Sequence, residues 1–259
     1  MKTLIMAFGL LLSTSALSQL SAIDIMSFND QQRKVQDETV NVEMLLINKG
    51  GSQRKRAIKI ITQTNAENIQ NSLIKFSSPQ NISGTGLLTV EKVDSNDDQW
   101  LYLPALKRSR RISAANQSDS FMGTDFSYED LGAENLADFN YELLGEEPVD
   151  GFDNFIIKAI PASQEKLDES GYGHRVLWIR KTDFIISKID FFNKSNKLTK
   201  KLKADDIHQV ASSNISRPKM VTMENIKTKH RTILSYENFK INTGLKSSQF
   251  TMRALERSW

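Results

Sequence analysis

Three histidines, His174, His208 and His230, and the acidic residues Asp125, Glu129 and Asp130 are the side chains in this chain best suited to ligate a metal or move a proton. The histidines stand far apart, with no His-x-x-x-His pair, no nucleophile elbow and no Ser/His/Asp arrangement in recognisable context. The acidic residues lack the Gly-centred loop of a calcium hand, and carboxylates at the head of a helix are favoured by its dipole, so they read as capping or ion-pairing groups. Gly84-Thr85-Gly86 has no following Lys and runs into a strand, so it is no phosphate cradle. The expectation is a binding protein rather than an enzyme, with no catalytic residues, no metal and no cofactor.

The basic run Lys107, Arg108, Arg110 and Arg111 is a candidate docking element for an anionic membrane surface or an acidic protein partner. Strand alternation places Arg108 and Arg110 on one face and Arg111 on the other. Asp125 and Glu129 set opposite Arg108, Arg110 or Arg111 would tie the acidic loop to this hairpin, and solvated hairpin charge is the plainer alternative. Just before the run, Trp100 and Tyr102 share one strand face, and Leu101 and Leu103 take the other. Trp100 and Tyr102 are taken as the inward pair, against the alternative that all four are ordinary core. Phe121, Met122, Phe126 and Tyr128 are spaced too irregularly for a strand, and Gly123 permits an unusual backbone among them. They form an aromatic loop, either a gate of adaptable apolar side chains or a permanent plug.

Short apolar or alternating runs separated by turn residues dominate the chain and argue for strands. Thirteen are expected: 40–48, 55–63, 72–77, 87–93, 99–103, 110–113, 141–146, 154–161, 174–180, 185–193, 198–210, 219–227 and 230–241. Turn chemistry lies between them, for instance Lys49-Gly50-Gly51-Ser52, Asp150-Gly151 and Lys194-Ser195-Asn196. Most connections are too short for a crossover helix, so neighbours pair antiparallel. Helices are expected at 22–38, 128–138 and 247–257, with a turn at 79–83. Such a meander must curl or be covered to protect its edges. The fold class is α+β, mainly antiparallel β.

The stretch Trp100-x-Tyr102-Leu103-Pro104, Arg108-x-Arg110-Arg111-Ile112, Ser120-Phe121-Met122-Gly123 and Asp125-Phe126-Ser127-Tyr128-Glu129-Asp130-Leu131 closely resembles the outer-membrane lipoprotein-sorting family, the LolA-like periplasmic carriers. Phe76-Ser77-Ser78-Pro79 and Gly84-Thr85-Gly86 extend the likeness, which is strongest over residues 55–160. The resemblance implies a strongly curved, incomplete β-barrel with a few helices as a lid around an apolar cavity. It implies a carrier of lipid or lipoprotein acyl chains that performs no chemistry, with Trp100, Tyr102, Phe121, Met122, Phe126 and Tyr128 lining the cavity. An inner-membrane transporter and an outer-membrane acceptor would be its partners. The alternative is a lipid-sensing or accessory module working with a resistance-nodulation-division type transporter or a signalling complex.

Lys2, the apolar core Leu4 to Leu12 and the small residues Ala16-Leu17-Ser18 spell a signal peptide with cleavage before Gln19. Nine apolar residues cover about 14 Å at helical rise, well short of a bilayer's hydrocarbon core. The protein is therefore expected in the periplasm, and no Cys stands near the cleavage point to take a lipid anchor. The whole chain has no Cys, so neither disulfides nor a thiolate metal site contribute. Residues 19–259 show no linker, repeat or low-complexity tract and are expected to form one monomeric domain. A formal net charge of +3 lacks the basic bias of a nucleic-acid binder.

Overall fold

A computed structural model describes residues 20–92, 97–211 and 213–257. The expected leader, 1–18, and its cleavage point lie outside them. Thirteen strands form one antiparallel sheet: β1 (Asp37–Ile47), β2 (Gln53–Thr64), β3 (Gln70–Ser78), β4 (Gly86–Val90), β5 (Asp98–Leu103), β6 (Arg108–Ile112), β7 (Phe139–Val149), β8 (Phe152–Pro161), β9 (His174–Arg180), β10 (Ile186–Phe192), β11 (Leu198–Gln209), β12 (Ser216–Asn225) and β13 (Arg231–Ile241). Their order is β6-β5-β4-β3-β2-β1-β13-β12-β11-β10-β9-β8-β7. The first and last strands pair at the middle, from Glu38 opposite Ile241 to Ile47 opposite Arg231, so β6 and β7 remain as two open edges and the barrel does not close. Both edges discourage pairing with another chain. β6 is five residues long and carries three arginines, and β7 has a bulge at Leu143/Gly145 followed by Glu146, Glu147 and Pro148.

Three helices accompany the sheet among the described residues: α1 (Ala22–Arg33), α2 (Gln164–Glu169) and α3 (Met252–Glu256). Ser21 and Asp24 cap α1 reciprocally, so the helix begins where its orphan N–H groups first find acceptors. It ends at Arg33 rather than near residue 38, because Arg217 takes the carbonyls of Gln32 and Arg33 while binding Glu38 at 2.8 Å. Asp37 then opens β1, its carboxylate accepting from the N–H groups of Thr243, Gly244 and Leu245 and from the Thr243 hydroxyl. The expected helix at 128–138 is instead two short 3₁₀ turns, Glu129–Leu131 and Leu136–Asp138.

The inner, concave face buries Val40, Val42, Met44 and Leu46 of β1 with Ile25 and Met26 of α1. A second cluster lies on the outer face, where the C-terminal segment sets Phe250 and Leu255 on Ile61, Leu73 and Leu88. Period-2 alternation sorts neighbours between the two, Leu87 inward and Leu88 outward, each at most 1% exposed. Trp100 and Tyr102 belong to the outer cluster, and Leu101 and Leu103 pack with the inner one. The inward assignment of Trp100 and Tyr102 is thus corrected. The C-terminal segment gives these two large rings an outer layer to bury against, a layer that strand alternation alone cannot reveal. Gly86 lets that segment come close, since a Cβ there would stand 2.8 Å from a Leu255 methyl. Lys75, 3% exposed, donates to the carbonyls of Ala254 and Arg257 at the end of α3. Burial lowers its ammonium to about 8.

Candidate functional site

The connection from β6 to β7, residues 113–138, crosses the concave face between the two sheet edges. Its tight turn is closed by the Phe121 N–H on the Phe126 carbonyl at 2.8 Å and by a Ser120–Ser127 bridge. Met122 and Gly123 both take positive φ, 50° and 72°, which turns Phe121 into the core at 1% exposure. Phe121 meets Phe76 at 5.7 Å and the edge of Tyr128 at 5.8 Å between ring centroids. The Met122 carbonyl accepts from Arg56 at 2.7 Å.

Each acidic side chain of this loop ties it to a different place. Asp125 accepts from Thr232 Oγ1 at 2.7 Å and contacts His230 Nδ1 at 2.6 Å, both on or beside β13. Glu129 accepts from the Ser170 hydroxyl and from the Gly171 N–H. Asp130 accepts from the Ser127 N–H at 2.7 Å and the Tyr172 hydroxyl at 2.9 Å, with Lys200 at 3.3 Å. The expected network between Asp125 or Glu129 and the arginines of β6 is therefore corrected. The loop folds away from β6 across the sheet, so its carboxylates reach β13, β11 and the β8–β9 connection instead. Arg111 pairs with Asp98 on the neighbouring strand, and Arg110 hydrogen-bonds the Tyr128 side chain. Lys107 and Arg108 are exposed.

Beneath the loop lies a cavity of about 350 Å³. Phe121, Phe126 and Tyr128 line it, together with strand residues such as Ile58, Ile74, Ile189, Phe191, Ala204 and Leu234. Met122 packs against the inner cluster without lining the cavity, and Trp100 and Tyr102 lie on the far side of the sheet. The volume is at the lower end of the roughly 300–1,000 Å³ typical of small-molecule sites.

Part of the wall is charged. Arg33, Asp97, Glu134, Asp138, Lys166 and Arg175 all line it. Arg175 binds Glu134 at 3.2 Å, lies 4.5 Å from the Phe139 ring centroid, and is joined at Glu134 by the Tyr141 hydroxyl at 3.4 Å. Burial pushes the Glu134 carboxyl up, but the Arg175 and Arg33 guanidiniums outweigh it and hold it below its ordinary range. Lys166 pairs with Asp138 at 2.8 Å. Two residues that line this cavity, Gln99 and Arg175, each keep one buried side-chain atom, Oε1 and Nη2, without a hydrogen-bond partner in the protein. Among the described residues no group of three or more His, Asp or Glu side chains is placed to hold a metal ion.

Asp97 accepts from the Ala133 N–H at 2.8 Å. Burial nevertheless raises its carboxyl to about 6, against the opposing N–H groups of Ala133 and Lys92. A carboxyl raised in the folded state favours folding below its unfolded value near 3.8, and that contribution is lost as pH climbs through about 6. Asp97→Asn, which keeps an acceptor for Ala133, should therefore gain on the order of 2 kcal/mol over wild type between pH 4 and pH 7, allowing for partial exposure. Denaturant melts across that range check it, and parallel pH profiles for the two proteins would contradict it.

A family model described as that of an uncharacterized protein matches residues 68–257. The chain belongs to this DUF1329-like family. The chain's fold recurs in solved structures. A protein described as an outer membrane lipoprotein-sorting protein domain from Vibrio parahaemolyticus is 29% identical, covering 91% of this chain and 98% of its own, with a TM-score of 0.84. A DUF1329 family protein from Desulfovibrio piger is likewise 29% identical over 90% of this chain and 97% of its own, at 0.84. A LolA superfamily protein from Nitrosomonas europaea, 20% identical over 91% and 100%, reaches 0.71 and shares the fold. No curated protein matches the chain. No helix among the described residues is long and apolar enough to cross a membrane.

Arg33, Asp97, Glu134 and Arg175 escape sequence reasoning because they are single charged residues scattered over the chain. Arg175 alone leaves a local trace. It lies on the same strand face as Leu177 and Ile179, a cation on an otherwise apolar period.

Proposed function

We propose that the protein is a periplasmic carrier that holds the acyl chain of a lipoprotein or other lipid in the concave cavity and moves it toward the outer membrane without chemistry. The observation that carries this reading is the two-part wall of the cavity. Aliphatic and aromatic side chains line most of it, while Gln99 Oε1 and Arg175 Nη2 stay buried without partners beside a charged cluster. A wall that is apolar over most of its extent and charged at Arg33, Glu134, Lys166 and Arg175 is complementary to a ligand that offers both a hydrocarbon tail and a polar head. Shielding such a tail from water is worth about 0.8 kcal/mol per CH₂. The lipoprotein-sorting description of the Vibrio structure supports the same direction.

A second reading, a sensor or accessory module that keeps its lipid and signals through a protein partner such as a resistance-nodulation-division type transporter, is favoured by the loop over the cavity. That loop is tied down by Asp125, Glu129 and Asp130 at separate points rather than hinged. Loading the purified protein with a radiolabelled phospholipid or lipopeptide and mixing it with acceptor vesicles separates the two. Label moving to the vesicles is the expected result. Label bound to the protein but never transferred favours the sensor, and failure to load removes both readings.

A further inference from the structure

In an antiparallel meander the turns alternate between the two ends of the sheet, and the β1–β13 pairing fixes how the two halves align. Ile47 faces Arg231, so the β12–β13 turn lies at the same end as the β1–β2 turn. The β5–β6 and β10–β11 turns share that end, as the antiparallel pairing from strand to strand requires. These four turns carry Lys49, Lys107, Lys194, Lys197, Lys227 and Lys229, and not one acidic residue. All six lysines are exposed. Arg108 and Arg231, which open β6 and β13, add to the same end and are exposed as well. The β3–β4 connection between them is uncharged from Pro79 to Gly84. The arc ends at the β8–β9 connection, where α2 sets Glu165, Asp168 and Glu169 against Lys166 and the Asp168 carbonyl accepts from Lys194 at 3.0 Å. At the opposite end the turns are acidic or balanced: Glu67 at β2–β3, Asp150 at β7–β8, and Lys181 with Asp183 at β9–β10.

Six exposed lysines thus gather on one rim of a chain whose net charge is only +3. We propose that this rim is a docking surface for a bilayer bearing anionic phospholipid headgroups. The chemistry favours a lipid surface over an acidic protein. The charge is spread over separate turns, it is almost all lysine rather than bidentate arginine, and it lacks the buried aromatic or arginine anchors around which protein interfaces concentrate their energy. Attraction of this kind needs no shape match. It accumulates residue by residue at about 1 kcal/mol each near an anionic membrane, roughly fivefold in affinity per lysine. It also orients the molecule, the rim toward the membrane and the opposite end toward the aqueous phase.

Sedimentation with phosphatidylcholine vesicles, with and without phosphatidylglycerol, tests this at low and high salt. Wild type should bind only the anionic vesicles and be released by salt. Lys227→Glu with Lys229→Glu should weaken that binding more than tenfold. Lys219→Glu with Lys246→Glu, the same change in net charge placed on exposed lysines toward the opposite end, should leave it within about twofold. Equal loss in both double variants would overturn the rim in favour of net charge alone. So would absence of wild-type binding to anionic vesicles, or binding to a soluble polyanion such as heparin without binding to vesicles. Retention of an apolar probe, measured on the same preparations, should be unchanged in all of them, so failure of the rim and failure of the cavity would be told apart.

Discussion

Ala204→Phe should abolish lipid loading while leaving the fold intact. Ala204 is a small residue among the bulkier side chains lining the cavity, and at 7% exposure it faces the hollow rather than solvent. A benzyl group there occupies volume that the ligand's chain would otherwise fill. Overpacking a filled core costs about 1–3 kcal/mol, but a ring entering empty space meets little strain and buries apolar area of its own. The expected result is affinity for an acyl probe reduced at least tenfold, about 1.4 kcal/mol, with a melting temperature within a few degrees of wild type. Unchanged binding would mean that the chain lodges elsewhere. Unfolding would mean that the interior beside β11 is already full.

Arg175→Met should be the most destabilising single change at the charged part of the wall. It strands the Glu134 carboxylate, which is held ionised by Arg175 and Arg33 against the pull of burial. Breaking one side of a buried pair typically costs about 3–5 kcal/mol, and with 15% and 13% of the two side chains exposed the lower figure applies. For a domain of this size, about 3 kcal/mol corresponds to a fall in melting temperature of roughly 6–12 °C. Adding Glu134→Gln removes the stranded charge and should restore most of the stability, yet the double variant should still bind a lipid with an anionic head more weakly, because the Arg175 cation is gone from the wall. Thermal melts of the two variants decide it. A loss under about 0.5 kcal/mol in the single variant would show the pair to behave as a solvated surface contact.

The strands were legible because each obeys a local rule. Alternation over Val40–Val42–Met44–Leu46 and turn chemistry such as Lys49-Gly50-Gly51-Ser52 need no knowledge of the rest of the molecule, and all thirteen expected segments overlap observed strands. What failed was set by partners distant in sequence. The first helix stops early because Arg217, some 185 positions on, caps it. Trp100 and Tyr102 turn outward because the C-terminal segment, some 150 residues later, covers that face of the sheet. Sequence proximity pairs Asp125 and Glu129 with the arginines of β6, yet Asp125 is held by Thr232 and His230 and Glu129 by Ser170 and Gly171. Burial of Phe121, Phe126 and Tyr128 against the cavity agrees with the aromatic loop expected there, and their contact with a ligand stays part of the proposal. The charged part of the wall had no motif to announce it, since only the folded sheet brings Arg33, Asp97, Glu134 and Arg175 to one cavity.

The central claim, that the hollow under the 113–138 loop accepts a hydrocarbon chain, is tested most directly by calorimetric titration of delipidated protein with a long-chain fatty acid at several temperatures. Saturable binding of one molecule, with a negative heat-capacity change and loss of that signal in Ala204→Phe, is the predicted result. Heats no larger than dilution at every temperature, from a protein whose sheet is intact by circular dichroism, would contradict it.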